Sequence, residues 1–217
     1  MSRNRLIQTL SLISNLSIVV FTIISICGFF VSLFGGDEFV IGWLGFEYFT
    51  VLSNVFIALV GIALIVFNII NLIKNENKIP KILEIIKYVA SSAVGVTMLT
   101  VIVFLGPTQG FGIMYKGINL FMHLLSPLLA IISYIFFEGT AKNKFYTTLF
   151  SILLVIIYGT VYLLNVLIFE TWVDFYGFNA NGLRYVSLVA MIAASYAIGV
   201  GIYFLNNLLS LNKEKVD

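Results

Sequence analysis

Six apolar runs decide what this 217-residue chain can become. They extend from about Leu10 to Phe34, Phe49 to Ile73, Tyr88 to Leu105, Ile118 to Phe137, Phe145 to Phe169 and Tyr185 to Leu209. Each is near the roughly 20 residues that a helix needs to cross about 30 Å of hydrocarbon. A backbone in lipid must satisfy its own hydrogen bonds, and runs this long and continuous suit helices rather than the short alternating strands of a barrel. The expectation is an all-α fold, a single domain over residues 1–217 that forms an integral membrane bundle of six transmembrane helices. With 10% charged and 60% hydrophobic residues, the chain is not an ordinary soluble domain, in which about a quarter of residues carry charge.

The first run follows Arg3 and Arg5, as a signal peptide would, but it is too long and lacks a small-residue cleavage site, so it reads as a retained span. The basic residues alternate from loop to loop. Arg3, Arg5, Lys74, Lys78, Lys81, Lys87, Lys142, Lys144, Lys213 and Lys215 fall on one side, and only Lys116 and Arg184 on the other. The positive-inside rule therefore places both termini in the cytoplasm of a multi-pass protein of the cell membrane. These basic residues read as solvated loop charges, spaced too thinly for nucleic acid. No Asp, Glu, Lys or Arg lies well inside a predicted span.

Two outer loops are aromatic, FVIGWLGF (Phe39 to Phe46) and ETWVDFYGF (Glu170 to Phe178). Trp43, Trp172, Tyr48 and Tyr176 are expected to anchor them at headgroup level. Helix packing is expected on a stripe of Ala190, Ala194, Ala197 and Gly201, and on a shorter one of Ser91 and Gly95, because small residues let helices approach closely.

His123 is the only histidine, and it falls inside the fourth run. An ionisable side chain in hydrocarbon is costly enough to mark a functional position. It lies about five residues below the outer boundary, roughly 7.5 Å at 1.5 Å per residue, and Thr50 sits near the same face at the start of the second run. Positions three and four apart share a helix face. By that spacing Glu47, Thr50, Ser53 and Asn54 form one polar stripe, Asn119, His123, Ser126 and Pro127 a second, and Tyr158, Tyr162 and Asn165 a third. Three such stripes can converge on one outer-leaflet cavity.

A threonine hydroxyl is a poor nucleophile until a base takes its proton, and a neutral imidazole is well suited to do so near neutral pH. The expected catalytic pair is Thr50 and His123. Asn119 or a tyrosine would orient the ring, and Ser53 or Asn54 would donate to a developing oxyanion. The competing reading of the same residues is structural. Threonine in a membrane helix commonly bonds its own i−4 carbonyl, Ser53 and Asn54 can join helices, Pro127 can simply kink one, and Glu47 can be a boundary carboxylate.

No cofactor is expected. GFGIMYKG (Gly110 to Gly117) is glycine-rich but follows a membrane span rather than a strand, so it is not a nucleotide-binding loop. One histidine and one cysteine, Cys27, leave no zinc site or intrachain disulfide, although a carboxylate metal site stays open.

At YFTVLSN (Tyr48 to Asn54), NLFMHLLSP (Asn119 to Pro127) and, more loosely, ETWVDFY (Glu170 to Tyr176), the chain resembles the androgen-induced-gene-product family of multispan membrane proteins and its bacterial relatives. That family includes intramembrane threonine hydrolases of fatty acid esters of hydroxy fatty acids. The resemblance implies a catalytic threonine at Thr50 and a catalytic histidine at His123. Leu120 and Leu124 stand where animal members carry a histidine and a threonine. The expected function is hydrolysis of an amphiphilic lipid ester entering from the membrane. The alternative is a protein that binds or transports a lipid or small solute without covalent chemistry.

Overall fold

The structure is a computed structural model that describes residues 3–31, 42–76, 78–139, 143–177 and 182–210. Among them there is no strand, and six helices are long and apolar enough to cross a membrane. These are α1 (Arg3–Phe30), α2 (Phe49–Lys74), α3 (Lys81–Gln109), α4 (Ile118–Glu138), α5 (Phe145–Leu167) and α6 (Arg184–Leu209). Helix α3 is the most enclosed, packing against α2, α4, α5 and α6, while α1 closes the bundle against α2 and α4.

The bundle is apolar outside and partly polar inside, as lipid demands. On α1 the inward positions are Ser11, Asn15, Ser25 and Gly28, whereas Ile13, Leu16 and Ile23 face outward and are more than half exposed. Lipid solvates a leucine as well as a protein core does, so small and polar residues define the contact faces. Apolar packing fills the rest, with Ile18, Ile57, Leu64, Ala90, Val94 and Ala130 joining α1 to α4.

Helix α3 runs well beyond both ends of the expected span. It begins after Pro80, where a missing N–H costs a helix nothing, and takes in Lys81, Glu84 and Lys87. Lys87 is thus no solvated loop charge. It is fully buried and pairs with the equally buried Glu138 at 3.3 Å. The Glu138 carboxylate also accepts from Ser11 at 2.8 Å, Ser133 at 3.3 Å and the Asn15 amide, and Lys87 donates to Asn15 Oδ1 at 2.7 Å. Buried Glu84 accepts from Asn143 at 2.6 Å and from Lys81 at 3.1 Å. Lys87 and Glu138 each stand one residue outside an apolar run, so hydropathy leaves both outside their spans and only tertiary packing brings them in.

The packing stripe on α6 is also rotated from expectation. Ala190 and Ala197 are exposed, and space is open around Gly201. The inward face is Ser195, Gly199, Ile202 and Asn206. Ser195 donates to Ser151 O at 2.7 Å and Asn206 to Ile135 O at 3.0 Å. An alanine is equally content in lipid, so the polar members identify the face. Ser91 and Gly95 do sit at contacts, Ser91 donating to Ala130 O and Gly95 lying against Ile198 and Ile131.

Candidate functional site

Thr50 is the second residue of α2, in the first turn, where amides lack intrahelical partners and the helix dipole is positive. Tyr48 precedes the helix in extended conformation and supplies no side-chain cap. The first amide, Phe49 N–H, donates instead to the hydroxyl of Tyr176 at 3.1 Å. A tyrosine from the α5–α6 loop therefore caps the helix that carries Thr50. The same hydroxyl is in hydrogen-bonding contact with the hydroxyls of Thr50 and Tyr158, and burial pushes its pKa up to about 12. At neutral pH it is an uncharged phenol.

His123 lies in a π turn, Phe121–Leu125, closed by Ser126 N–H donating to Phe121 O. The wider turn has a sequence cause. Pro127 has no N–H, and its ring would collide with the carbonyl four residues back in a regular helix. Helix α3 repeats the pattern, with a π turn at Val101–Leu105 followed by Gly106 and Pro107. Such bulges recur at functional sites. The His123 ring is 8% exposed, with Nδ1 2.9 Å from Met114 O. A carbonyl only accepts, so Nδ1 carries the proton and Nε2 is left as the basic nitrogen.

Met114 belongs to the glycine-rich segment Gly110 to Gly117. Gly110 (φ 99°) and Gly117 (φ 56°) let the chain reverse on either side of it. That folding places the Met114 carbonyl over the histidine, so the segment orients the ring.

Thr50 and His123 line one cavity of about 190 Å³, whose other polar walls include Tyr48, Gln109, Asn119 and Tyr176. A narrower cavity of about 40 Å³ lies between α2, α3, α5 and α6, walled chiefly by apolar side chains such as Val155, Leu163, Leu188 and Met191, with Arg184 among its polar ones. Thr50, Leu105 and Tyr176 border both. Thr50 thus stands between a wider chamber of mixed polar and apolar lining that holds the histidine and a narrower apolar one.

Other expected site residues divide between these chambers and the scaffold. Tyr158 and Tyr162 line the apolar chamber, donating to Glu47 O at 2.7 Å and Asp174 Oδ1 at 2.6 Å. Asn119 shares the wider chamber with His123 but donates to Ile113 O, at 3.2 Å. Asn54 lines neither cavity. Its amide nitrogen lies 2.8 Å from Thr50 O and 3.1 Å from Met122 O, so one donor atom joins the backbones at Thr50 and at the residue before His123. Both amide hydrogens are committed there. Ser53 bonds Thr50 O at 3.1 Å and Thr97 Oγ1 at 3.2 Å. Asn165 is half-buried near the end of α5 and accepts from Thr171 at 2.7 Å.

Two contributors escaped sequence reasoning, the Met114 carbonyl and the Tyr176 hydroxyl. The only signal for Tyr176 was the unusual aromatic density of its loop. Among the described residues no group of three or more His, Cys, Asp or Glu is placed to hold a metal ion. Compared with protein-family models, curated proteins and solved structures, the chain matches none.

Proposed function

We propose that this protein is an intramembrane hydrolase of lipid esters, with Thr50 as nucleophile and His123 as general base. The observation that carries the reading is that both side chains border one cavity while the Asn54 amide ties their backbones together. The bond from His123 Nδ1 to Met114 O leaves Nε2 to take the Thr50 proton. Attack at the positive end of α2 favours the charge that develops on oxygen. The narrower apolar chamber beside Thr50 suits an acyl chain, and the polar side of the wider chamber, with Gln109, Asn119 and His123, suits water and the leaving alcohol. The resemblance at YFTVLSN and NLFMHLLSP supports the same pair and the assignment to the androgen-induced-gene-product-like proteins. In this reading both termini are cytoplasmic, the site lies in the outer leaflet, and membrane lipids are the surroundings and the source of substrate.

The test is hydrolysis of p-nitrophenyl octanoate in mixed micelles by purified protein. Thr50→Ala and His123→Ala should each reduce turnover to the spontaneous rate. Turnover that survives both substitutions would reject the reading. Binding or transport without chemistry has one observation in its favour, the buried Lys87–Glu138 pair, because buried charges in membrane proteins often mark ion pathways. Flux of a solute across vesicles that depends on Glu138 and not on Thr50 would support it.

A further inference from the structure

An ester hydrolase must finish with water, and His123 Nε2 can hold only one of that water's two hydrogens. The segment between α3 and α4 presents a second acceptor. Its single helical turn, Phe111–Met114, lies between Gly110 (φ 99°) and Gly117 (φ 56°), and the Ile113 and Met114 N–H groups both donate to Gly110 O at 3.2 Å. The last two carbonyls of that turn meet α4. Ile113 O accepts from Asn119 Nδ2 at 3.2 Å, and Met114 O accepts from His123 Nδ1 at 2.9 Å.

Asn119 and His123 stand four residues apart, so they share a face of α4, and both border the wider chamber with Thr50. Two successive carbonyls therefore fix two side chains one turn apart, each through its nitrogen donor. The ring and the amide each keep an acceptor, His123 Nε2 and Asn119 Oδ1. No described residue donates to either atom. Two acceptors on one face of one chamber match the two hydrogens of a water molecule.

We infer that Asn119 is a catalytic residue that holds the hydrolytic water together with His123, one O–H donating to Nε2 and the other to Asn119 Oδ1. The inference rests on the hydrolase reading. In the first half-reaction Thr50 Oγ1 passes its proton to Nε2 and bonds the ester carbonyl carbon. The ester C–O bond breaks, and the alcohol leaves with that proton. Water then takes the alcohol's place in the wider chamber. Nε2 accepts one proton from it as its oxygen bonds the acyl carbon and the carbonyl π pair moves onto oxygen. Collapse re-forms the C=O bond and breaks the bond to Thr50 Oγ1, which recovers its proton from His123 as the acid departs. Asn119 Oδ1 keeps the other O–H throughout and exchanges no proton. With both hydrogens held, a lone pair of the water is aimed at the acyl carbon before reaction, which is how positioning lowers a barrier.

The experiment follows p-nitrophenyl octanoate with the full-length protein in mixed micelles and separates the two half-reactions. Asn119→Leu keeps the side-chain volume and removes the acceptor. Steady-state turnover should fall about 10²-fold, the loss that accompanies a reacting atom held about 1 Å out of place, while the initial burst of p-nitrophenol keeps a rate within about threefold of wild type. Octanoyl-Thr50 should accumulate and be located by mass spectrometry. Turnover within about threefold of wild type overturns the inference. So does a burst that slows in step with turnover, which would make Asn119 a support for the histidine or for the leaving alcohol. If Asn119→Leu does not fold, wild-type protein decides the matter through methanol, whose single O–H cannot satisfy both acceptors. Acyl transfer to methanol should be no faster per mole than transfer to water, and a preference for methanol above about tenfold per mole overturns the inference. A burst and turnover that persist in Thr50→Ala reject the hydrolase reading itself, whereas failure confined to the Asn119 and methanol measurements leaves that reading standing.

Discussion

Replacing Lys87 with methionine removes a charge from the most enclosed polar cluster in the bundle and keeps most of the side-chain volume. At 3.3 Å from Glu138, the attraction in a medium of effective dielectric near 20 is about 5 kcal/mol. Burying each ion costs several kcal/mol, so the intact pair contributes far less than its Coulomb energy. Removing one partner is different. Glu138 keeps its donors from Ser11, Asn15 and Ser133 but is left as an uncompensated buried carboxylate. The expected cost is about 3–5 kcal/mol. Lys87→Met with Glu138→Gln abolishes both charges and retains an acceptor for Ser11 and Asn15, so the double variant should lie within about 1.5 kcal/mol of wild type. Equilibrium unfolding by dodecyl sulfate in mixed micelles measures Lys87→Met, Glu138→Gln and the double variant. A single variant within about 1 kcal/mol of wild type, or a double variant as unstable as the two singles added, would refute the reasoning.

Glycines on α6 provide a second check. A Cβ at Gly199 would fall 2.4 Å from Ser151 Cβ, whereas nothing lies within 4 Å of one at Gly201. Gly199→Ala should therefore destabilise by about 1–3 kcal/mol, and Gly201→Ala should not destabilise at all, both read in the same unfolding assay. At Gly159, on the wall of the apolar chamber, a Cβ already meets Leu188 Cδ1 at 2.8 Å. Gly159→Leu should narrow that chamber and reduce hydrolysis of long-chain p-nitrophenyl esters at least tenfold relative to the acetate. An unchanged chain-length profile would place the acyl chain elsewhere.

Hydropathy made the six helices legible because each must carry an apolar surface into lipid, and α2 emerges within a residue of expectation. It misplaced the start of α3. Lys81, Glu84 and Lys87 read as a loop because an isolated charge cannot enter a membrane, yet Lys87 is enclosed in the bundle with Glu138 as a partner supplied by another helix. That Thr50 and His123 border one cavity was legible from residue type and position along the helices. Their supporting groups were not. Asn54 has the right chemistry for an oxyanion donor, but tertiary contact commits its amide to two backbone carbonyls. Met114 acts through its carbonyl, which residue type does not reveal. Tyr176 looked like one more interfacial aromatic, and only the path of its loop over the start of α2 brings it to Thr50.

Covalent labelling probes the Thr50–His123 pair at the level of bonds. Purified protein in micelles is treated with an alkyl fluorophosphonate, digested, and the adduct located by mass spectrometry. The adduct should lie on Thr50, vanish in Thr50→Ala, and form at least about 100-fold more slowly in His123→Asn, as expected for loss of a general base. A protein that stays unlabelled, an adduct on another residue, or labelling undiminished in His123→Asn would contradict the assignment of Thr50 as nucleophile and His123 as its base.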